Sequence, residues 1–308
     1  MSDTLTDAAE DRALRHWKFR DPASVKVGSE AHKQMFCRML LETHNPYKPA
    51  VIDWPPLPPD VLARLTTLPI WDMAVQTEGR ATIRVATYAT LITDPLLREA
   101  LEMDAAEEAR HKLVLSKLVA AYGIELAPEP AYLPPPDAEW AWMLTGYSEC
   151  IDSFFAFGLF RSAQQSGYFP SELVETFEPV IQEEARHILF FANWVAWYRR
   201  TMPWWRRPWH SVRVFAIWIY LVWERLSIAK GMDADGGKKD SNFLPASSDT
   251  FGDGLDAREL FELCLSENER RMSGYDPRLL RPTAVPRLVR FALRLMKKRP
   301  ARAGTTGR

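Results

Sequence analysis

Hydrophobic positions follow a helical period through most of this chain. Between residues 69 and 200, apolar side chains recur every three or four positions in four long segments. Asp94 and Pro95 separate the first two segments, and Gly167 with the Tyr-Phe-Pro turn that follows separates the last two. The pattern predicts two helical hairpins, in which Pro179 either kinks the fourth helix or marks its true start. The predicted helices cover residues 69–93, 95–122, 137–166 and 171–200.

The segments on either side of the hairpins are more varied. A short helix is predicted around residues 31–43, and the proline-rich stretch after it should run extended over the surface. Beyond the hairpins we predict an apolar helix over 208–230, a linker rich in Gly, Asp and Ser, and a helix over 255–272. The predicted divisions are an N-terminal lead-in (1–68), a helical bundle (69–202), additional helices with a linker loop (203–275) and a basic C-terminal tail (276–308).

Composition limits the functional classes. The net charge of −1 gives no reason to expect a nucleic-acid partner. Three separated cysteines, Cys37, Cys150 and Cys264, argue against a cysteine zinc site and fit a reducing compartment. The polar N-terminus lacks the apolar core of a signal peptide, so we expect a cytoplasmic protein. The longest apolar run, residues 214–223, has about half the length needed to cross a bilayer.

Two segments could contact a partner. Residues 204–225 mix indoles, cations and apolar side chains, and we expect them to pack on the bundle or on a second subunit, as in a homodimer. Peripheral binding at a membrane interface is the alternative. From Arg278 to its end the chain carries ten Lys or Arg residues and no acid, with Leu288, Phe291 and Leu295 at helical spacing. Such a tail can meet anionic lipid or a protein, although it is more often only solvated.

The pentapeptide EEARH occurs twice, once in the second predicted helix and once in the fourth. Residues three apart in a helix project from the same face, so Glu108 and His111 can share one metal ion, as can Glu184 and His187. Both pairs fall on the apolar stripe of their helix and should therefore face the core. The alternative, surface salt bridges in ordinary helices, does not explain this inward placement.

The first helix of each hairpin carries an isolated acid, Glu78 or Glu149, among apolar neighbours. In antiparallel hairpins both acids come level with the Glu and His pairs. Another acid could take the place of Glu78, and Asp152, one turn away, could replace Glu149. Four buried carboxylates need compensating cations. Oxygen donors with one imidazole for each metal favour two iron ions, or manganese, over zinc or copper.

This arrangement resembles the ferritin-like di-iron carboxylate superfamily, in which two helices each supply one Glu and two others each supply Glu-x-x-His. The resemblance covers residues 71–198 and implies an all-α, ferritin-like four-helix bundle with additional N- and C-terminal helices. The implied metal ligands are Glu78, Glu108, His111, Glu149, Glu184 and His187.

Within the superfamily, an acid followed by Glu-x-Arg-His is most similar to bacterial di-iron monooxygenases. That resemblance implies supporting roles around the ligands: the acid before each Glu orients the His of the other half-site, and the arginines pair with nearby acids. The implied supporting residues are Glu107, Glu183, Arg110, Arg186, Asp104, Asp152 and Ser153.

Comparison with individual families of this superfamily shows which of them the chain resembles less and which it resembles more. Leu115 stands where a ribonucleotide reductase small subunit places its radical tyrosine, which disfavours radical storage. No third His precedes the last Glu-x-x-His, which disfavours the N-oxygenases, whereas Ser153 matches the hydroxyl found in hydrocarbon-oxidising monooxygenases.

The resemblance implies a non-haem di-iron oxidoreductase that uses dioxygen as co-substrate. A monooxygenase, hydroxylase or desaturase acting on an apolar or aromatic small molecule is the leading hypothesis. Electrons would come from a separate reductase or ferredoxin, since the chain has no Gly-rich nucleotide loop. The alternatives are an iron-oxidising or iron-storage ferritin-like protein and a non-catalytic, membrane-associated helical scaffold.

Overall fold

A computed structural model describes residues 15–20, 24–234 and 256–296, with side chains left undescribed over 228–234. This part of the chain is helical and contains no β-strand, which confirms the all-α prediction for the residues described. Most of the predicted linker and the last residues of the basic tail, 297–308, lie outside the described residues. The helices are α1 (Glu30–Glu42), α2 (Pro59–Thr66), α3 (Trp71–Ala89), α4 (Pro95–Ala121), α5 (Ala138–Ser166), α6 (Ser171–Glu175), α7 (Glu178–Thr201), α8 (Arg207–Ala234), α9 (Ala257–Ser273) and α10 (Ala284–Leu295).

Local chemistry explains where the long helices begin and end. The Asp94 carboxylate accepts a hydrogen bond from the Leu97 backbone N–H and caps α4, whose first residue is proline. Asp137 caps α5 in the same way. Gly123 and Gly167 follow the ends of α4 and α5 with a φ of 63°, a conformation that favours glycine.

Helices α3, α4, α5 and α7 surround the central core. The antiparallel pair α3 and α4 has the most extensive contact, while α5 packs against both α3 and α7. Helix α1 lies across α4 and α7, and α9 lies along α5 and α7. Arg186, within the EEARH repeat of α7, donates to the Leu40 carbonyl of α1, so α1 lies next to that repeat.

The N-terminal segment packs more closely than its sequence predicted. Met35, Phe36 and Leu40 of α1 belong to the central core. The proline-rich stretch was predicted to be extended, but Pro49–Val51 form a 3₁₀ turn and Pro59–Thr66 form α2. Proline at the first positions suits helix initiation, and α2 buries Leu65 in a second, smaller core cluster. The division of the chain into domains stays a prediction.

Pro179 marks a helix start. A separate short helix, α6, ends at Glu175, and Pro179 occupies the first turn of α7. The proline therefore disrupts no internal helical hydrogen bond. Among the described residues, no helix combines the length and apolarity needed to cross a membrane.

Candidate metal centre

Two Glu and two His side chains from α4 and α7 meet in the core. One potential ligand atom from each of Glu108, His111, Glu184 and His187 lies within 4.8 Å of the other three. The Nδ1 atom of His187 is 2.9 Å from Glu108 Oε1, and the Nδ1 atom of His111 is 3.2 Å from Glu184 Oε1. Each imidazole thus faces the carboxylate of the opposite helix. The two rings lie side by side, with centroids 5.5 Å apart.

Helix geometry accounts for this convergence. In both α4 and α7 the Glu and the His are three residues apart and project from the inward face. Both imidazoles and the Glu108 carboxylate are buried, whereas the Glu184 side chain keeps 15% of its surface exposed. The site therefore has a sealed side near Glu108 and a more open side near Glu184.

Glu78 and Glu149 extend the site on α3 and α5. Glu78 Oε2 lies 3.8 Å from His111 Nδ1. Burial, together with the charge of Glu108, raises the pKa of Glu78 well above its usual value. Burial and the charges of Glu108 and Asp104 raise the pKa of Glu149 in the same way. Glu78 and Glu149 therefore share one electrostatic environment with Glu108, in which a cation would favour the ionised forms of Glu78 and Glu149.

The acid that precedes each of Glu108 and Glu184 contacts the imidazole of the opposite helix. Glu107 of α4 lies with its Oε2 atom 2.8 Å from His187 Nε2, and Glu183 of α7 lies with its Oε2 atom 2.8 Å from His111 Nε2. An imidazole that donates from Nε2 presents the lone pair of Nδ1 to the centre. This hydrogen-bonded arrangement is the one by which proteins fix metal-binding histidines.

Two arginines hold these acids in place. The buried Arg186 guanidinium donates from Nη1 to both Glu107 oxygens at 2.9 Å. Arg110 pairs with Glu183 through Nη2. Burial opposes ionisation of Glu107, but the Arg186 charge and the hydrogen bond from His187 hold the pKa of Glu107 well below its usual range. Glu107 is thus ionised behind His187 at neutral pH.

The N-terminal segment supplies groups that the sequence did not single out. Nδ1 of His44 is 2.6 Å from Glu107 Oε1, and the Tyr47 hydroxyl donates to Glu183 Oε2 at 3.4 Å. The Arg110 guanidinium lies 4.2 Å from the centre of the Tyr47 ring. His44 follows α1 without helical periodicity, so the only available signal was a His and a Tyr in a proline-rich stretch. These two residue types do not indicate which residues they contact.

Three other predicted supporting residues lie in different places. The Ser153 hydroxyl donates to Glu184 Oε2 at 2.8 Å. Asp104 is buried with its Oδ1 atom 3.5 Å from His187 Nε2, and burial with the charges around it raises the pKa of Asp104 to about 7. Asp152 lies away from the centre, in an ion pair with Arg225 of α8 at 2.7 Å. Of the two alternative ligands on α5, Glu149 and Asp152, it is therefore Glu149 that lies at the site.

The donor set suits a metal ion. Three buried atoms that face the centre, Glu108 Oε1, His111 Nδ1 and His187 Nδ1, make no hydrogen bond of normal geometry to any described residue, although two of them approach each other at 2.9 Å. Leaving buried polar atoms unpaired is costly, and coordination to a cation would satisfy all three at once. Burial alone would lower the pKa of His111 and His187, but hydrogen bonds and charges from the surrounding acids raise it well above its usual value. Protons and metal ions therefore compete for the same nitrogen atoms.

Comparison with models of known protein families, with curated proteins and with solved structures finds no match. Fold and site therefore rest on the chain's own residues. The described residues form a helical protein with a buried Glu and His cluster that can hold a metal ion.

Proposed function

We propose that this protein is a non-haem di-iron oxidoreductase that uses dioxygen, built on a ferritin-like four-helix bundle. One observation carries the proposal: two Glu-x-x-His pairs face each other in the core, and each imidazole is oriented by an acid of the opposite helix. Glu78 and Glu149 complete a set of four carboxylates and two imidazoles, the composition found in di-iron carboxylate bundles.

The proposed ligands divide into two half-sites by their contacts. Glu78, Glu184 and His111 lie together, since both carboxylates approach His111 Nδ1. Glu108 lies against His187 Nδ1, and we assign Glu149 to that side because the charges of Glu108 and His187 both act on its carboxyl group. Two divalent ions would balance four Glu charges, and oxygen-rich sites without thiolate favour iron or manganese. Bound iron would supply the electrons and the Lewis acidity for dioxygen chemistry.

The chain's own residues would hold the ligands of the centre in fixed orientations. Glu107 and Glu183 hold the imidazole Nε2 atoms, while Arg186 and Arg110 hold the two acids. Ser153 donates to Glu184 and so restricts the rotation of that carboxylate.

The exposure of the proposed ligands on one side of the centre supports a small organic substrate. Glu78, Glu149 and Glu184 are partly exposed, whereas Glu108 and both imidazoles are buried. Substrate would therefore approach from the side of α3 and α5. The aromatic residues of α5 suit an apolar or aromatic substrate. The electron donor in this proposal is a separate reductase or ferredoxin.

Metal content and oxygen consumption test the proposal. We expect two iron ions per chain in protein purified without oxygen and reconstituted with Fe²⁺. The Glu108→Ala and Glu184→Ala double variant should lose both ions and the iron-dependent oxygen uptake. A matched double variant, Glu102→Ala with Asp152→Ala, removes two acids of α4 and α5 that lie away from the centre and should keep them. Full iron in the first variant would overturn the proposal, and a cage-sized assembly that accumulates iron would favour storage instead.

A further inference from the structure

Helix α8 carries an apolar surface on its outward side. Between residues 208 and 227, no exposed side chain is charged, and the exposed positions occupy about half of the helix circumference. The two arginines and the glutamate of this stretch lie instead toward the bundle or its edge, with Arg213 paired to Asp137 and Arg225 paired to Asp152. At about 1.5 Å per residue, this uncharged surface is roughly 30 Å long.

Large side chains dominate that surface, here named the α8 face. Trp209 is 65% exposed, Phe215 67% and Trp223 63%. Because a large aromatic side chain can bury about 150 to 250 Å², the α8 face with the neighbouring Trp204 and Trp205 presents on the order of 1,000 Å² of apolar surface. That is above the roughly 300 to 600 Å² of the largest patch on a typical monomer. Such a surface needs a covering partner.

Positive charges predominate beside the exposed apolar side chains, and the partly exposed Glu224 of α8 is paired with Arg225. Arg199, Arg200 and Arg206 are exposed next to the tryptophans that precede the α8 face. Helix α10 repeats the combination: Leu288, Phe291 and Leu295 are exposed on one side of it, and three exposed arginines lie on the adjacent side. Within the described part of the chain, none of the three α10 arginines has a salt-bridge partner, and α10 contains no acid.

We propose that the α8 face and α10 bind the surface of an anionic membrane without crossing it. Exposed indoles suit the headgroup region of a bilayer, and cations beside an apolar face suit anionic headgroups. A second copy of the chain complements these charges poorly, because a twofold interface would bring cations of the same sign together. The proposal depends on these two helices alone and is independent of the metal centre.

Vesicle flotation with the full chain tests this binding. At low salt we expect the protein to float with vesicles of phosphatidylcholine containing phosphatidylglycerol and to stay unbound with phosphatidylcholine alone. Replacing Arg287, Arg290 and Arg294 by Gln should lower the partition coefficient about a hundredfold, since each cation near an anionic surface contributes about one factor of five. Replacing the same three residues by Lys should preserve binding. Equal binding to both vesicle types would overturn the electrostatic part of the proposal and with it the proposal itself.

Apolar substitutions test the α8 face separately. Phe215→Gln with Trp223→Gln should lower the partition coefficient by at least about tenfold. Leu91→Gln with Leu133→Gln, two exposed apolar residues far from α8 in sequence, should leave it unchanged. All four positions are exposed, so circular dichroism should show folded protein for each variant. If wild-type protein instead floats with neither vesicle, or sediments as a dimer that the α8 variant splits, the α8 face is not a membrane surface and the proposal fails.

Discussion

Replacing Arg186 tests the structure around the candidate metal centre. The side chain is 1% exposed, and its guanidinium makes a bidentate pair with the fully buried Glu107. It also donates to Thr43 Oγ1 at 2.8 Å and to the Leu40 carbonyl. The Arg186→Met variant keeps most of the side-chain volume but leaves Glu107 as a buried anion without its principal cation.

The expected cost follows from that burial. Removing one partner of a buried pair lowers the free energy of unfolding by about 3 to 5 kcal/mol, whereas an exposed pair contributes about 0 to 1 kcal/mol. Arg38 provides the matched control, since it is 54% exposed and lies 3.8 Å from Glu42 in an i,i+4 pair of α1. We expect Arg38→Met to cost less than about 1 kcal/mol.

Urea denaturation of metal-free protein, followed by circular dichroism and tryptophan fluorescence, measures both costs. In the wild type the pKa of Glu107 lies well below its ordinary value of 4.5, so the pair's contribution to stability is present above that pH and is lost as the pH falls through the lower, folded value. The difference in free energy of unfolding between wild type and Arg186→Met should therefore be largest at pH 7 and should decrease below about pH 4.5.

A double variant separates charge from packing. Glu107→Gln combined with Arg186→Met removes both charges, so it should be more stable than Arg186→Met alone by about 2 kcal/mol or more. A loss of less than about 1 kcal/mol in Arg186→Met at pH 7, or no recovery in the double variant, would refute this account of the Glu107 environment.

Three further results are expected. Hydrogen bonds from Arg278 lower the pKa of Asp276 from 3.8 to about 2. Asp276→Asn should therefore lower the free energy of unfolding, measured by urea denaturation at pH 7, by up to about 2 kcal/mol. This loss should shrink as the pH falls below 3.8, and a constant loss down to pH 3 would contradict the prediction. A Cβ atom on Gly146 would lie 2.2 Å from the Phe191 ring, so Gly146→Ala should destabilise the protein by about 1 to 3 kcal/mol, and an unchanged melting temperature would be evidence against this packing. Because the pKa values of His111 and His187 are raised well above normal, iron affinity measured by calorimetry should fall from pH 8 to pH 6 and binding should release protons; pH-independent affinity would argue against imidazole coordination.

Residues that act within one helix were predictable from the sequence. Glu108 and His111 share a face because they are three residues apart, and the apolar residues around them determine that this face is inward. The same reasoning applies to Glu184 and His187, and the structure brings all four side chains together. Local spacing determines these relations whatever the rest of the chain does.

Contacts between residues of different helices could be identified only from the tertiary structure. Glu149 and Asp152 lie one turn apart on α5, and sequence spacing left both as candidates. Arg225 of α8 pairs with Asp152 and holds that carboxylate on the outside of α5, while Glu149 lies within the electrostatic environment of Glu108 and Glu184. Seventy-three positions separate Arg225 from Asp152, so no local pattern could reveal the pair.

Long-range contacts also explain what the sequence missed and what it left open. His44 reaches Glu107 across 63 positions because α1 lies over α4 and α7, a packing choice that periodicity does not encode. The sequence of α8 predicted an apolar helix that packs on the bundle or on a second subunit, but it could not show how much of the helix surface the bundle leaves exposed. Helical period is a local property of the backbone and is therefore readable from the sequence, whereas the partner that each surface meets depends on side chains brought together only when the whole chain folds.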